Sequence, residues 1–82
     1  MLHARKDYNR IQDPENLIPQ DEPVMIFRGQ DVCAPAALDA WCKEAKKYGV
    51  DEKMIEVVAK HATLMRCWQI EHNRKVPDMP LD

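Results

Sequence analysis

The second half of the chain carries two helical patterns joined by a very short link, and this feature constrains the fold most. Apolar residues recur every three or four positions over residues 34–49 and again over 51–72, which predicts two amphipathic helices. Gly49 is suited to end the first helix, and Asp51 is suited to cap the second. Because only Gly49-Val50 separates the patterns, the helices are predicted to be antiparallel neighbours.

Each predicted helix has an apolar stripe that is expected to face inward. On the first helix the stripe consists of Leu38, Trp41, Cys42, Ala45 and Tyr48, and on the second of Met54, Ile55, Val58, His61, Ala62, Met65 and Trp68. Pro35 suits the first turn of a helix because its fixed φ is already helical. The predicted hairpin is therefore packed along these two stripes.

The residues before the hairpin predict an extended arm, residues 1–22, followed by a short strand and turn, residues 23–31. Three prolines in the arm and at its end disfavour helix in the residues that precede them, and the apolar pair Leu17-Ile18 is expected to anchor it. Val24–Phe27 has the composition of a strand, with a short helical turn as the alternative. The expected partner is the same strand of a second copy, since an isolated edge invites pairing. Residues 73–82 are predicted to form an extended tail.

Length and composition favour one small domain, residues 1–82, that is stabilised by self-association. A chain of 82 residues and 9.6 kDa builds a small core, and such folds draw on disulfides, metals or partner subunits. Cysteine occurs three times, and the first residues are polar rather than a leader; these features predict a soluble cytoplasmic protein without disulfides. Zinc-capable residues lack ligand spacing, so no metal or cofactor is expected, and the cysteines are interpreted as small buried side chains. The predicted fold class is mainly α, an antiparallel helical hairpin preceded by an extended N-terminal arm with one short strand and completed by homo-oligomerisation.

Several chemistries are excluded or disfavoured by the residue types present. The chain has no serine, one threonine and two glycines, which excludes a serine nucleophile and the glycine-rich phosphate loops. A net charge of −2 and a pI near 5.9 disfavour binding to duplex nucleic acid. No segment approaches the length of about 20 apolar residues that spans a bilayer. A non-enzymatic protein with no membrane contact is therefore expected.

Two polar clusters and one aromatic residue are the candidate ligand-binding groups. Arg28, Gln30 and Asp31 follow the apolar run directly, and Arg28 could hold a phosphate or carboxylate; the equal alternative is a structural salt bridge from Arg28 to a nearby acid. Tyr8 and Arg10 could close over a pocket, although a solvated arm is the usual interpretation. Trp41 could stack on a base, whereas a core or interface role is the simpler explanation.

The chain also resembles a family of short, uncharacterised proteins encoded by tailed bacteriophages and prophages. The resemblance is carried by the run IPQDEPVMIFRGQD at residues 18–31 and by YNRIQDPENL before it. Ala34-Pro35, Trp41, His61-Ala62 and Trp68 fit the same pattern. The resemblance implies a phage setting and carries over no catalytic residue.

Two functions are compatible with these features. The first is a phage-encoded homo-oligomeric protein that acts as a counter-defence sponge, sequestering a small anionic nucleotide of host immune signalling without turnover. Its ligand-binding residues would be Arg28, Gln30, Asp31, Tyr8, Arg10 and Trp41. The alternative is a phage inhibitor or adaptor that binds a host or phage protein through the arm, the tail and the Val24–Phe27 edge.

Overall fold

A computed structural model describes residues 1–8 and 10–79, which form two short strands, a single turn of 3₁₀-helix and two α-helices. The strands are β1 (Leu2–His3) and β2 (Pro23–Val24), and the helices are α1 (Ala34–Lys47) and α2 (Glu52–Glu71). The chain divides into an N-terminal unit, Met1–Ile26 with Asp78–Asp82, and a helical unit, Phe27–Pro77. Neither α1 nor α2 combines the length and hydropathy needed to cross a bilayer. The predicted mainly-α hairpin with a short extended region before it is confirmed.

Helix α1 begins at Ala34 because proline in its first turn needs no backbone partner for its nitrogen. It ends at Lys47, two residues before the predicted end, where the Tyr48 N–H donates to the carbonyls of Glu44 and Ala45 at 3.3 and 3.2 Å. Gly49 follows with a φ of 70°, the left-handed conformation that glycine adopts at little cost. Gly49 is thus the residue at which the chain turns away from α1, as its position in the sequence predicts.

Helix α2 begins at Glu52 because Asp51 caps it. The Asp51 carboxylate accepts a hydrogen bond from the Lys53 N–H at 2.8 Å, which satisfies one of the donors that every helix N-terminus leaves unpaired. The helix ends at Glu71, within one residue of the predicted end. The cap and the link together confirm the predicted helix–turn–helix.

Replacing Asp51 with alanine is expected to lower the free energy of unfolding by about 1 kcal/mol, the usual value of an N-cap. Urea unfolding followed by far-UV circular dichroism at one protein concentration measures it. Glu52→Ala is the matched control, because the group that caps α2 is the Asp51 carboxylate and not that of the neighbouring Glu52. Equal midpoints for the two variants would contradict the capping role.

The helices pack along a seam of mainly small residues. The buried hydrophobic residues are Ala34, Ala45, Ile55, Ala62 and Met65. The predicted inward stripes are therefore only partly correct. Trp41, Tyr48, Met54, His61 and Trp68 are exposed, while Leu38, Cys42 and Val58 are half-buried. Alanines at the seam leave little room for large side chains between the helices, so the aromatic residues lie outside it.

In the N-terminal unit, β2 pairs in parallel with β1. Leu2 lies opposite Pro23 and His3 opposite Val24, and the Leu2 and Ala4 N–H groups donate to the carbonyls of Glu22 and Val24. The predicted strand over 24–27 is therefore wrong in extent, and its partner within the chain is β1. One edge of β2 is occupied by the first residues of the same chain, whose polar sequence gave no strand signal.

A carboxylate organises the middle of the arm. Asp13 accepts hydrogen bonds from the N–H groups of Leu17 and Ile18, each at 3.0 Å, and these bonds lower the pKa of Asp13. Leu17 is 73% exposed, so its predicted anchoring role is wrong, whereas Ile18 is half-buried. The local order comes from this side-chain-to-backbone loop.

Candidate functional site

The turn formed by Arg28, Gly29, Gln30 and Asp31 lies at the entry to α1. The Asp31 N–H donates to the Arg28 carbonyl at 3.0 Å, which closes the turn. The Asp31 carboxylate accepts from the Cys33 N–H at 2.7 Å, and its carbonyl accepts from the Ala34 N–H. Asp31 therefore shapes the start of α1.

Two residues that the sequence analysis did not identify hold this turn, and both come from the C-terminal part of the helical unit. The Gln69 side-chain amide on α2 donates to the carbonyls of Gly29 and Asp31, at 2.9 Å each, and we call these two hydrogen bonds the Gln69 clamp. The Lys75 N–H donates to the Gln30 carbonyl at 2.7 Å, and its carbonyl accepts from the Val32 N–H at 3.1 Å. The turn is therefore fixed by paired backbone groups.

Beside the Gln69 clamp, the C-terminal half of α2 and the residues after it form an open depression. It has a volume of about 390 Å³ and is lined by Arg66, Gln69, Ile70 and Arg74. Two guanidinium groups, an amide and an apolar side chain are suited to an anion attached to a flat or apolar group. Gln69 both lines the depression and donates hydrogen bonds to the turn.

The two arginines differ in their surroundings. Arg66 forms a two-point ion pair with the Asp39 carboxylate of α1, and this hydrogen bonding raises the pKa of Arg66. Arg74 is exposed and makes no ion pair with the residues that the structure describes. Arg74 is thus the guanidinium that a ligand could engage without first displacing an acid.

The predicted ligand-binding residues fall in both units. Arg28 and Trp41 are exposed in the helical unit, and Gln30 is half-buried there. Tyr8 and Arg10 belong to the N-terminal unit, where the Arg5 guanidinium lies 4.5 Å from the centre of the Tyr8 ring. The residue between them, Asn9, lies outside the described residues, as do residues 80–82 of the predicted tail.

The cysteines do not behave as the buried side chains that the sequence predicts. Cys33 and Cys67 are exposed, and only Cys42 is half-buried, with its sulfur 3.7 Å from the Ile55 carbonyl. Among residues 1–8 and 10–79, no three histidine, cysteine or acidic side chains are grouped so that they could hold a metal ion.

Comparisons of the chain with protein-family models, with curated proteins and with solved structures gave no match.

Proposed function

We propose that this chain is a phage-encoded, non-enzymatic binding protein that captures a small anionic nucleotide in the depression on α2. The observation that carries the proposal is the joint lining of Arg66, Gln69, Ile70 and Arg74. In the proposed setting, the cytoplasm of an infected bacterium, capture would remove a signalling nucleotide from host defence by stoichiometric binding.

The chemistry of the lining supports an anionic ligand. A guanidinium presents several N–H donors in a planar fork, which matches two oxygens of a phosphate. Ile70 offers apolar contact to a base or sugar, and the Gln69 carbonyl oxygen offers an acceptor while its amide holds the turn. This moves the predicted site from Arg28 and Gln30 to the adjoining face of α2.

Replacing Arg74 with alanine is expected to weaken binding by about 10- to 100-fold, the loss of one or two charge-assisted hydrogen bonds. The protein would be purified from bacterial cells and inspected by native mass spectrometry for a bound nucleotide. It would then be titrated calorimetrically with cyclic dinucleotides and with ADP-ribose.

Two variants serve as controls for this loss. Arg74→Lys keeps the charge but not the planar fork, so an intermediate affinity is expected. Lys60→Ala removes an exposed charge of α2 that does not line the depression, so affinity equal to wild type is expected. Unchanged binding by Arg74→Ala would exclude this site, and failure of every nucleotide to bind would exclude the proposed ligand class.

A second candidate function is an inhibitor or adaptor that binds a host or phage protein. It is favoured by the exposure of two large apolar side chains, Phe27 and Val76, which lie near the first and last residues of the helical unit in the sequence. A stable complex with one host or phage protein, lost on Phe27→Ser, would support this alternative over nucleotide capture.

A further inference from the structure

The helical hairpin places its small apolar residues inside and its large ones outside. Three of its five buried hydrophobic residues are alanines. By contrast, the exposed residues include Trp41, Tyr48, Leu64 and Trp68. An exposed patch of large apolar side chains is the informative exception to ordinary surface composition, since it marks an interaction site.

These large residues share one flank of the hairpin. On α2 they follow a regular 3–4 spacing: Met54, Val57, His61, Leu64 and Trp68. At 3.6 residues per turn, this line lies about 100° around α2 from the buried line of Ile55, Ala62 and Met65. The Asp39–Arg66 pair lies on the opposite flank, and the same helical geometry places Trp41 and Tyr48 of α1 on the flank of the exposed line. We call these seven residues the apolar flank.

We propose that the apolar flank is the interface at which two copies of this chain associate, with α2 of each copy packed along α2 of the other. A spacing of i, i+3, i+7, i+10 and i+14 is the pattern with which helices pack side chains into the gaps of a facing helix. No lysine, arginine or carboxylate interrupts the line, so the flank is complementary to itself, as a twofold interface requires.

The exposed area supports a second copy as the occupant. Each partner contributes roughly 800 Å² to a standard interface. The six apolar side chains of the flank alone expose on the order of 600 Å². Two such flanks facing each other would cover these side chains in both copies.

The proposed dimer does not depend on nucleotide capture, because none of the flank residues lines the depression. Association through apolar contacts should also change little with salt, whereas arginine–phosphate contacts weaken as salt screens them. The two proposals can therefore fail separately.

Sedimentation equilibrium of the full chain over a range of concentrations tests the proposal, at low and high sodium chloride. Wild type is expected to have twice the chain mass at both salt concentrations. Leu64→Glu, at a side chain that is 61% exposed, is expected to be a monomer or to weaken association by at least 100-fold. Thr63→Glu, an exposed neighbour off the line, is the matched control and should remain dimeric.

A second variant keeps the test decisive if Leu64→Glu fails to fold. His61→Leu makes the line continuously apolar, and it is expected to tighten the dimer by at least fivefold. A monomeric wild type at every concentration would overturn the proposal and assign the flank to a different partner. Equal dimerisation of Leu64→Glu and wild type would also overturn it.

Discussion

Replacing Gln69 with glutamate is expected to lower the free energy of unfolding by about 2–4 kcal/mol at neutral pH, because the Gly29 and Asp31 carbonyls lose the Gln69 amide donor and face a negative charge instead. In the wild type, one side-chain amide donates to the carbonyls of both Gly29 and Asp31. A carboxylate has nearly the same shape but only accepts, so it would face two carbonyl oxygens with its charge. Urea unfolding at a fixed protein concentration measures the loss, since association also contributes to apparent stability.

The same variant should depend on pH in a definite direction. Opposed by two carbonyls, the introduced carboxyl would have a folded-state pKa above its unfolded value of about 4.3. The destabilisation is then smallest below about pH 4, where the protonated acid can still donate one hydrogen bond. It grows as the pH rises from the unfolded-state pKa to the higher folded-state pKa of the introduced carboxyl. Gln69→Met removes the donors without adding a charge, so its loss of stability relative to wild type should be the same below about pH 4 and at neutral pH. A Gln69→Glu loss that does not change with pH would contradict the clamp.

Enlarging Ala62 to leucine is expected to destabilise the hairpin by about 1–3 kcal/mol through overpacking. Ala62 is fully buried on α2, in a seam whose other buried residues include Ala34 and Ala45 of α1. Additional carbon atoms must therefore push the helices apart or force strained rotamers. Thermal and urea unfolding would measure the change.

The matched control for this substitution lies three residues earlier on the same helix. Ala59 is exposed, so Ala59→Leu makes the same chemical change without filling the seam, and it should alter stability by less than about 0.5 kcal/mol. If Ala62→Leu were as stable as Ala59→Leu, the close packing of the two helices would be refuted.

The hairpin could be predicted from the sequence because its determinants are local. Gly49 and Asp51 fix where one helix ends and the next begins, and these signals act over a few residues. The face that points inward was harder to predict. On α2 two apolar lines lie side by side, one through Ile55 and Met65 and one through Leu64 and Trp68, and periodicity alone does not say which of them meets α1.

The residues that hold the 28–31 turn were missed for a different reason. Gln69 continues the inward line of α2, where a polar residue looks like an interruption rather than a clamp. Lys75 acts through its backbone, which leaves no trace in residue type. Similarly, β1 is only two residues long, too short for an alternating pattern, so β2 could not be assigned its partner.

The position of the clamp along the chain also dictates an order of assembly. The carbonyls of Gly29 and Asp31 receive their hydrogen bonds from a residue about 40 positions later, while the helices need only near neighbours to form. Synthesis delivers the turn first and its donors last. Gln69 lies near the end of α2, so it reaches the turn together with the end of that helix, and Lys75 follows it in the chain. Losing the residues that follow α2 should leave both helices and the two Gln69 hydrogen bonds in place, and should remove only the backbone pairing of Lys75 with Gln30 and Val32.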